Sequence, residues 1–345
     1  MRLKSLRRRR TRRGKGPVVL LYHRIARTSS DPQLLCVSPE HFAEHVGLIA
    51  ERYEPVRLAE LVAALRGAEL PPRAVAITFD DGYADNLGAA KPVLQRKRVP
   101  ATVFVASGWM GGDRMFWWDE LETLLLRPGR LPPVLELEIG TELLRWQLGD
   151  DAVYPPEAAA ARFGWTVLDD HDPSPRQRIY RELSARLRRL DENARERVLD
   201  SLRSVGERNG ETDGDLPRPL TLEELGCLAT GDLVDIGAHT VTHPTLSTLA
   251  PDGQREEIAG SREQLESALG RPIASFAYPY GGASDFDQTT ARIVRDAGFD
   301  HACANFSSRL GHGTDVYRLP RILVRDCGGA ELARSLADLD APRSV

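Results

Sequence analysis

Cysteine is scarce in this chain of 345 residues: four thiols, Cys36, Cys227, Cys303 and Cys327, lie far apart with no CxxC spacing. In a chain long enough to bury a sizeable core, that scarcity excludes a disulfide-stapled scaffold and a cysteine zinc site, and the four are expected to be reduced structural thiols. Long apolar runs are also missing. No stretch of about 18 apolar residues occurs, so no transmembrane helix is expected. Acidic residues are absent from residues 1–16, which carry nine Lys/Arg; the other 37 basic and 50 acidic residues leave a net charge of −13. The apolar stretch after this tail, Pro17–Tyr22, is too short for the h-region of a cleaved signal and runs into His23 with no small-residue cleavage site. A cytoplasmic protein is expected, with a basic disordered tail suited to peripheral contact with an anionic membrane at its inner face. The acidic body argues against specific nucleic-acid binding.

With 41% hydrophobic and 28% charged side chains, what is present is ordinary globular material. Short apolar runs alternate with amphipathic segments, the pattern of βα units around a largely parallel sheet. The spacing predicts strands over Val18–Tyr22, Ala74–Phe79, Ala101–Val105, Leu233–Ala238, Ala274–Tyr278 and Leu319–Val324. It predicts helices over Pro39–Arg52, Leu58–Arg66, Asn86–Arg96, Pro251–Leu269, Asp287–Ala297 and Ala330–Leu339. Ser38-Pro39 supplies an N-cap and an N1 proline, and Gly298 a stop. The alternation breaks over 109–219, a stretch that holds all five tryptophans. There Ile179, Leu183, Leu187, Leu190, Ala194, Val198, Leu202 and Val205 recur at spacings of three and four, predicting one long amphipathic helix. The expected organisation is a main domain over 17–108 and 220–340, interrupted by a largely helical insertion.

Four predicted strands end in chemically unusual residues, and the carboxyl ends of parallel strands are where α/β sites are built. Thr78-Phe79-Asp80-Asp81-Gly82 sets two carboxylates side by side, which repel unless one meets a cation. Its alternative is an acidic turn that caps the next helix. His239-Thr240-Val241-Thr242-His243-Pro244 places two imidazoles four apart, on one side of a helical turn, able to grip one metal ion. A lone HxxxH is more often structural. Phe276-Ala277-Tyr278-Pro279-Tyr280-Gly281-Gly282 is a turn that can aim backbone N–H groups at an oxyanion. His23 ends the first strand, where a buried hydrogen-bonded histidine is the alternative. His41 and His45, four apart on a helix, are expected to be solvated, and His312 sits in a glycine-rich loop as a weaker candidate proton donor.

Taken together, TFDDG at 78–82, HTVTHP at 239–244 and FAYPYGG at 276–282 resemble the polysaccharide deacetylase family, with its NodB homology domain (carbohydrate esterase family 4). The resemblance covers roughly 17–110 and 220–325. It implies a distorted (β/α)7 barrel holding one divalent metal, zinc being the expected ion. Asp81, His239 and His243 would be its ligands. Asp80 would be the base for a water attacking the N-acetyl amide of an amino sugar, and the Tyr280 backbone N–H would hold the oxyanion. The family's late Leu-x-x-His segment is absent, and Arg321 stands near the histidine's place. His23 is then the candidate acid, as in the biofilm-polysaccharide branch. Arg321 either orients Asp80 or forms an ordinary surface salt bridge. Trp117, Trp118 and Pro279 are the candidate pocket wall, with packing of the insertion as the alternative for the tryptophans. Two other readings stay open: the same barrel acting on a non-carbohydrate amide or imide, and a degenerate carbohydrate- or membrane-binding protein.

Overall fold

The computed structural model describes residues 16–67, 69–111, 114–208 and 216–338; all but the last residue of the basic tail lies outside them. Seven parallel strands form the centre: β1 Val18–Tyr22, β2 Ala74–Phe79, β3 Ala101–Val105, β4 Val234–Ala238, β5 Ser275–Ala277, β6 His301–Cys303 and β7 Ile322–Leu323. Their spatial order is β6-β5-β4-β3-β2-β1-β7, with Glu54–Pro55 added beside β2. Every residue of β1, β2 and β3 is buried, as expected of parallel strands covered on both faces.

The barrel closes imperfectly, and the reason is local. Leu319 bridges Cys303 of β6, and after Pro320 the chain crosses to pair Ile322 and Leu323 with Leu20 and Leu21 of β1. The strand expected over Leu319–Val324 is therefore split between two neighbours. Pro320 cannot donate to a ladder, and the split turns Arg321 into the barrel, where it is fully buried. β6 was absent from the predicted strands. It is three residues long, too short for alternation to show.

Helices α1 Pro39–Arg52, α2 Leu58–Arg66 and α3 Lys91–Lys97 flank the first strands. The helix expected over Asn86–Arg96 begins instead as a π turn, Asn86–Ala90. In α1 the stripe Phe42, His45, Val46 and Ile49 is buried, so His45 is not solvated: its ring meets the Tyr22 hydroxyl at 3.3 Å and the Cys327 carbonyl at 2.7 Å. His41 does face outward, paired with Asp326 at 2.6 Å.

The insertion carries its own apolar core, with the five tryptophans in it. Helices predominate in it, and it holds strands as well. Helices α4 Trp117–Leu125, α5 Pro175–Leu187 and α6 Glu192–Val205 pack beside an antiparallel hairpin, Val134–Ile139 with Glu142–Gln147. The hairpin's first strand buries Leu135, Leu137 and Ile139 and exposes Glu136 and Glu138, a period of two. The single long helix becomes α5 and α6, because Asp191 accepts the Ala194 N–H at 2.8 Å and caps a new helix. Arg176, fully buried, holds the subdomain together by donating to the carbonyls of Asp151, Leu125, Gly129 and Ala152. The main domain resumes with α7 Leu222–Ala229, α8 Pro251–Leu269, α9 Gln288–Asp296 and α10 Gly329–Asp338. The buried Lys91 ammonium satisfies three carbonyls at the end of α7, those of Cys227, Leu228 and Thr230. No helix among the described residues is long and apolar enough to cross a membrane.

Candidate metal centre and active site

Three loops meet over the carboxyl ends of the strands, each bent by backbone in the left-handed region. Among the described residues six non-glycine residues have positive φ, and four of them, Asp81, Thr240, His243 and Tyr280, lie in these loops. Such conformations cost roughly 1–3 kcal/mol each and persist only where surroundings enforce them.

At the end of β2 the chain turns sharply at Gly82, φ +81°; a Cβ there would lie 3.0 Å from Val105 Cγ1, so both the conformation and the space demand glycine. The turn separates the two carboxylates. Asp80 points to Arg321, which forms two parallel bonds to it, Nη1–Oδ1 2.6 Å and Nη2–Oδ2 2.7 Å. Arg321 Nε–H donates to the Ala304 carbonyl at 2.9 Å. Burial alone would raise the Asp80 carboxyl; the Arg321 charge overcomes it and holds the group below the usual carboxylate range. Of the two readings of Arg321, the buried pair is the one present.

Asp81 points instead to the histidines. Its Oδ1 lies 3.5 Å from His239 Nε2 and 3.3 Å from His243 Nε2, and these interactions outweigh its burial and keep it strongly ionised. The HTVTHP segment is not a helical turn. Thr240 and His243 both take positive φ, consistent with Pro244 disfavouring helix at His243. The turn is fixed from α8 by Glu257, whose carboxylate accepts the Val241 and Thr242 N–H groups and the Thr242 hydroxyl at 2.6–2.9 Å. His239 Nδ1 lies 2.7 Å from the Ala277 carbonyl. A carbonyl only accepts, so Nδ1 carries a proton and Nε2 is the nitrogen turned toward Asp81, the one able to take a cation in place of its proton. Burial lowers His243 to about 4, so that ring is neutral at pH 7. For His239, burial is outweighed by Asp80 and Asp81, which raise it.

One donor atom from each of Asp81, His239 and His243 lies within 4.8 Å of the other two. Two imidazole nitrogens and a carboxylate oxygen, all buried and converging, fit a divalent cation of the zinc type with room for further ligands. A cavity of about 590 Å³ opens above them, within the range of small-molecule sites. Asp80, Asp81, His23 and Tyr280 line it, and the buried His23 Nδ1 has no hydrogen-bond partner among the described residues.

Trp117 and Trp118 both line the cavity and pack the insertion, so their two readings are not exclusive. Trp118 stands 4.9 Å from the His243 ring, stacks on Phe116 and donates to the Tyr83 hydroxyl at 2.7 Å. Pro279 does not line the cavity. The turn presents Tyr280 and Gly282 there instead. His312 lies in an exposed turn away from the cavity.

Beyond Trp117 and Trp118, sequence reasoning missed the insertion's share of the wall. Arg181, Ser184, Ala185 and Arg188 face the cavity from α5, at offsets 0, 3, 4 and 7 on the side opposite its buried Ile179–Leu183–Leu187 stripe. That polar stripe was readable, but not what it faced. Asp285 was also missed; buried, it accepts the Gly282 N–H at 2.8 Å.

A family model described as polysaccharide deacetylase matches residues 67–128 and 223–302. The poly-β-1,6-N-acetyl-D-glucosamine N-deacetylase of Escherichia coli K12 is 31% identical over 97 residues, 28% of this chain and 14% of that protein's length. The match thus spans about one seventh of that relative. Among solved structures, the Streptococcus pyogenes deacetylase PplD in complex with acetate superposes with a TM-score of 0.57 at 18% identity, covering 94% of this chain and 99% of that one. IcaB from Ammonifex degensii gives 0.57 at 19% identity, covering 94% and 98%. At such identities the likeness is one of fold.

Proposed function

We propose, from the match of the polysaccharide deacetylase family model to residues 67–128 and 223–302 and from the shared fold, that the chain is a metal-dependent N-deacetylase of that family acting on N-acetylated amino sugars of a polysaccharide, oligosaccharide or lipid-linked glycan. The observation that carries this reading is the division of labour between adjacent carboxylates. Asp81 converges with both His239 and His243, while Asp80, whose Oδ2 lies 3.9 Å from His239 Nε2, directs both its oxygens to Arg321 in a buried pair.

We assign Asp81, His239 and His243 as ligands of a divalent ion, zinc by the donor set. Once bound, such an ion would acidify a water and polarise the amide carbonyl. Asp80, kept ionised by Arg321, takes the proton of the attacking water. The Tyr280 backbone N–H, which has no acceptor among the described residues, donates to the carbonyl oxygen as negative charge develops there. An amine leaves only when protonated, and His23 is the proton donor within the same cavity. Trp117 and Trp118 give the sugar an apolar wall and keep water from the His243 side.

The test is acetate release from N-acetylglucosamine oligomers, lipid-linked amino sugars and small amides, with and without chelator. Asp80→Asn should abolish release while the metal stays bound, and His239→Ala should lose the metal. Release that persists in both variants would end the proposal, and release from small amides alone would move the substrate outside carbohydrates.

A further inference from the structure

We infer that Arg188, supplied by the insertion, is a positioning residue that holds the Tyr280 N–H in its productive orientation; the inference rests on the deacetylase reading. Tyr280 sits at φ +60°, a conformation a tyrosine does not keep without external constraint. Its ring is caught between two groups. His243 meets it edge to face at 4.8 Å, and the Arg188 guanidinium lies over it, 4.0 Å from the ring centroid.

Arg188 is itself fixed at three points. It is the residue on which α5 ends; its carbonyl accepts the Thr245 hydroxyl at 2.9 Å; and its Nη2 donates to Asp285 Oδ1 at 2.6 Å. The other oxygen of Asp285 receives the Gly282 N–H. One guanidinium therefore grips the turn twice, by stacking on Tyr280 and through Asp285 on Gly282. The opposite flank is tied by Asn305, whose N–H donates to the Gly281 carbonyl at 2.8 Å. A backbone donor aids an oxyanion only when aimed at the place where charge develops. The barrel supplies the donor, and the insertion sets its aim.

Arg188→Gln removes the charge and the stack while leaving the α5 backbone in place. We expect kcat to fall about 10- to 100-fold with metal content unchanged and with any rise in KM, since Arg188 also lines the cavity, smaller than the loss in kcat; a fall of this size is what misaiming one donor produces. Arg188→Lys, which keeps the charge opposite Asp285 but not the planar stack, should recover part of the loss, and Asp285→Asn should reproduce it. Two readouts separate positioning from a merely structural role. First, a trifluoroacetyl amide stabilises its own oxyanion by induction, so the loss on it should be smaller than on the acetyl substrate. Second, hydrogen exchange at the Tyr280–Gly282 amides of the chelated protein should quicken in Arg188→Gln, with the sheet unchanged. Wild-type kinetics, a loss carried by KM, equal losses on both acyl groups, or unchanged exchange at 280–282 would overturn the inference. A wild-type protein inactive on every N-acetyl amide would instead remove the deacetylase reading, and the exchange arm would still judge the clamp.

Discussion

Arg321 offers the sharpest test of how the site is built. Its side chain and that of Asp80 are 1% and 5% exposed, so Arg321→Met leaves a carboxylate buried with its main counter-charge gone. Breaking a buried pair in this way costs about 3–5 kcal/mol, and the Ala304 carbonyl loses a bond worth about 1 kcal/mol more. Against a total of roughly 5–15 kcal/mol, this is a large fraction of the stability. The partner change, Asp80→Asn, strands the arginine and costs a similar amount. The double variant leaves no buried charge at either position, so it should be more stable than Arg321→Met by at least about 2 kcal/mol.

Urea denaturation of chelated protein at pH 7 measures all four corners of this cycle without a contribution from bound metal. The pH dependence gives an independent check. In the wild type Asp80 titrates below its unfolded value, so its stabilisation is present above about pH 4 and is lost as pH falls through the folded value. Without Arg321 burial raises the carboxyl above its unfolded value. The penalty should then be full above the raised value and vanish toward pH 4. A variant within about 1 kcal/mol of wild type at pH 7, or a double variant as unstable as the sum of the singles, would refute the buried pair as the organiser of Asp80.

Asp119 supports Trp118 from behind: it accepts the Tyr83 hydroxyl at 2.8 Å, and Tyr83 accepts the Trp118 indole. Burial pushes its carboxyl up to about 8, despite the opposing charge of Arg24. Between about pH 4 and 8 the folded state then holds a proton that the unfolded chain has released, so stability falls as pH rises. Asp119→Asn should flatten this slope by up to about 1.4 kcal/mol per pH unit in urea titrations, leaving the slope of Glu122, raised by burial to about 7 and so confined to a narrower pH window. A slope equal to wild type would count against it. Gly237→Ala on β4 would drive a Cβ into the Phe104 ring and to 2.7 Å from Ser275 Oγ, and should cost about 1–3 kcal/mol in thermal denaturation without changing metal content.

Several features were legible because their signals are local. Ser38 caps α1 and Pro39 opens it as the dipeptide predicts, and the all-buried central strands follow from uninterrupted apolar runs. Other signals were present but outweighed. The alternation over 134–139 marks a strand inside a stretch otherwise dominated by helical spacing. His45 shares the three- and four-residue stripe of Phe42, Val46 and Ile49, which places it in the core whatever its chemistry. The split of the last strand at Pro320 was less accessible, since two-residue pairings carry no periodicity.

By itself the sequence was enough to nominate Asp81, His239 and His243 as candidate metal ligands and to set the kind of parallel barrel that carries them. Side chains only one and four residues apart, in turns specified by Gly82 and Pro244, are constrained mainly by their own backbone. Tertiary structure decided which carboxylate faces which cation and what roofs the cavity. Arg321 and Asp80 are 241 residues apart, and Arg188 and Asp285 are 97 apart. A guanidinium can pair with any of 50 acids in the chain, and nothing local distinguishes them. Only closure of the barrel and docking of the insertion bring one partner to each arginine and exclude water from the Asp80 pair.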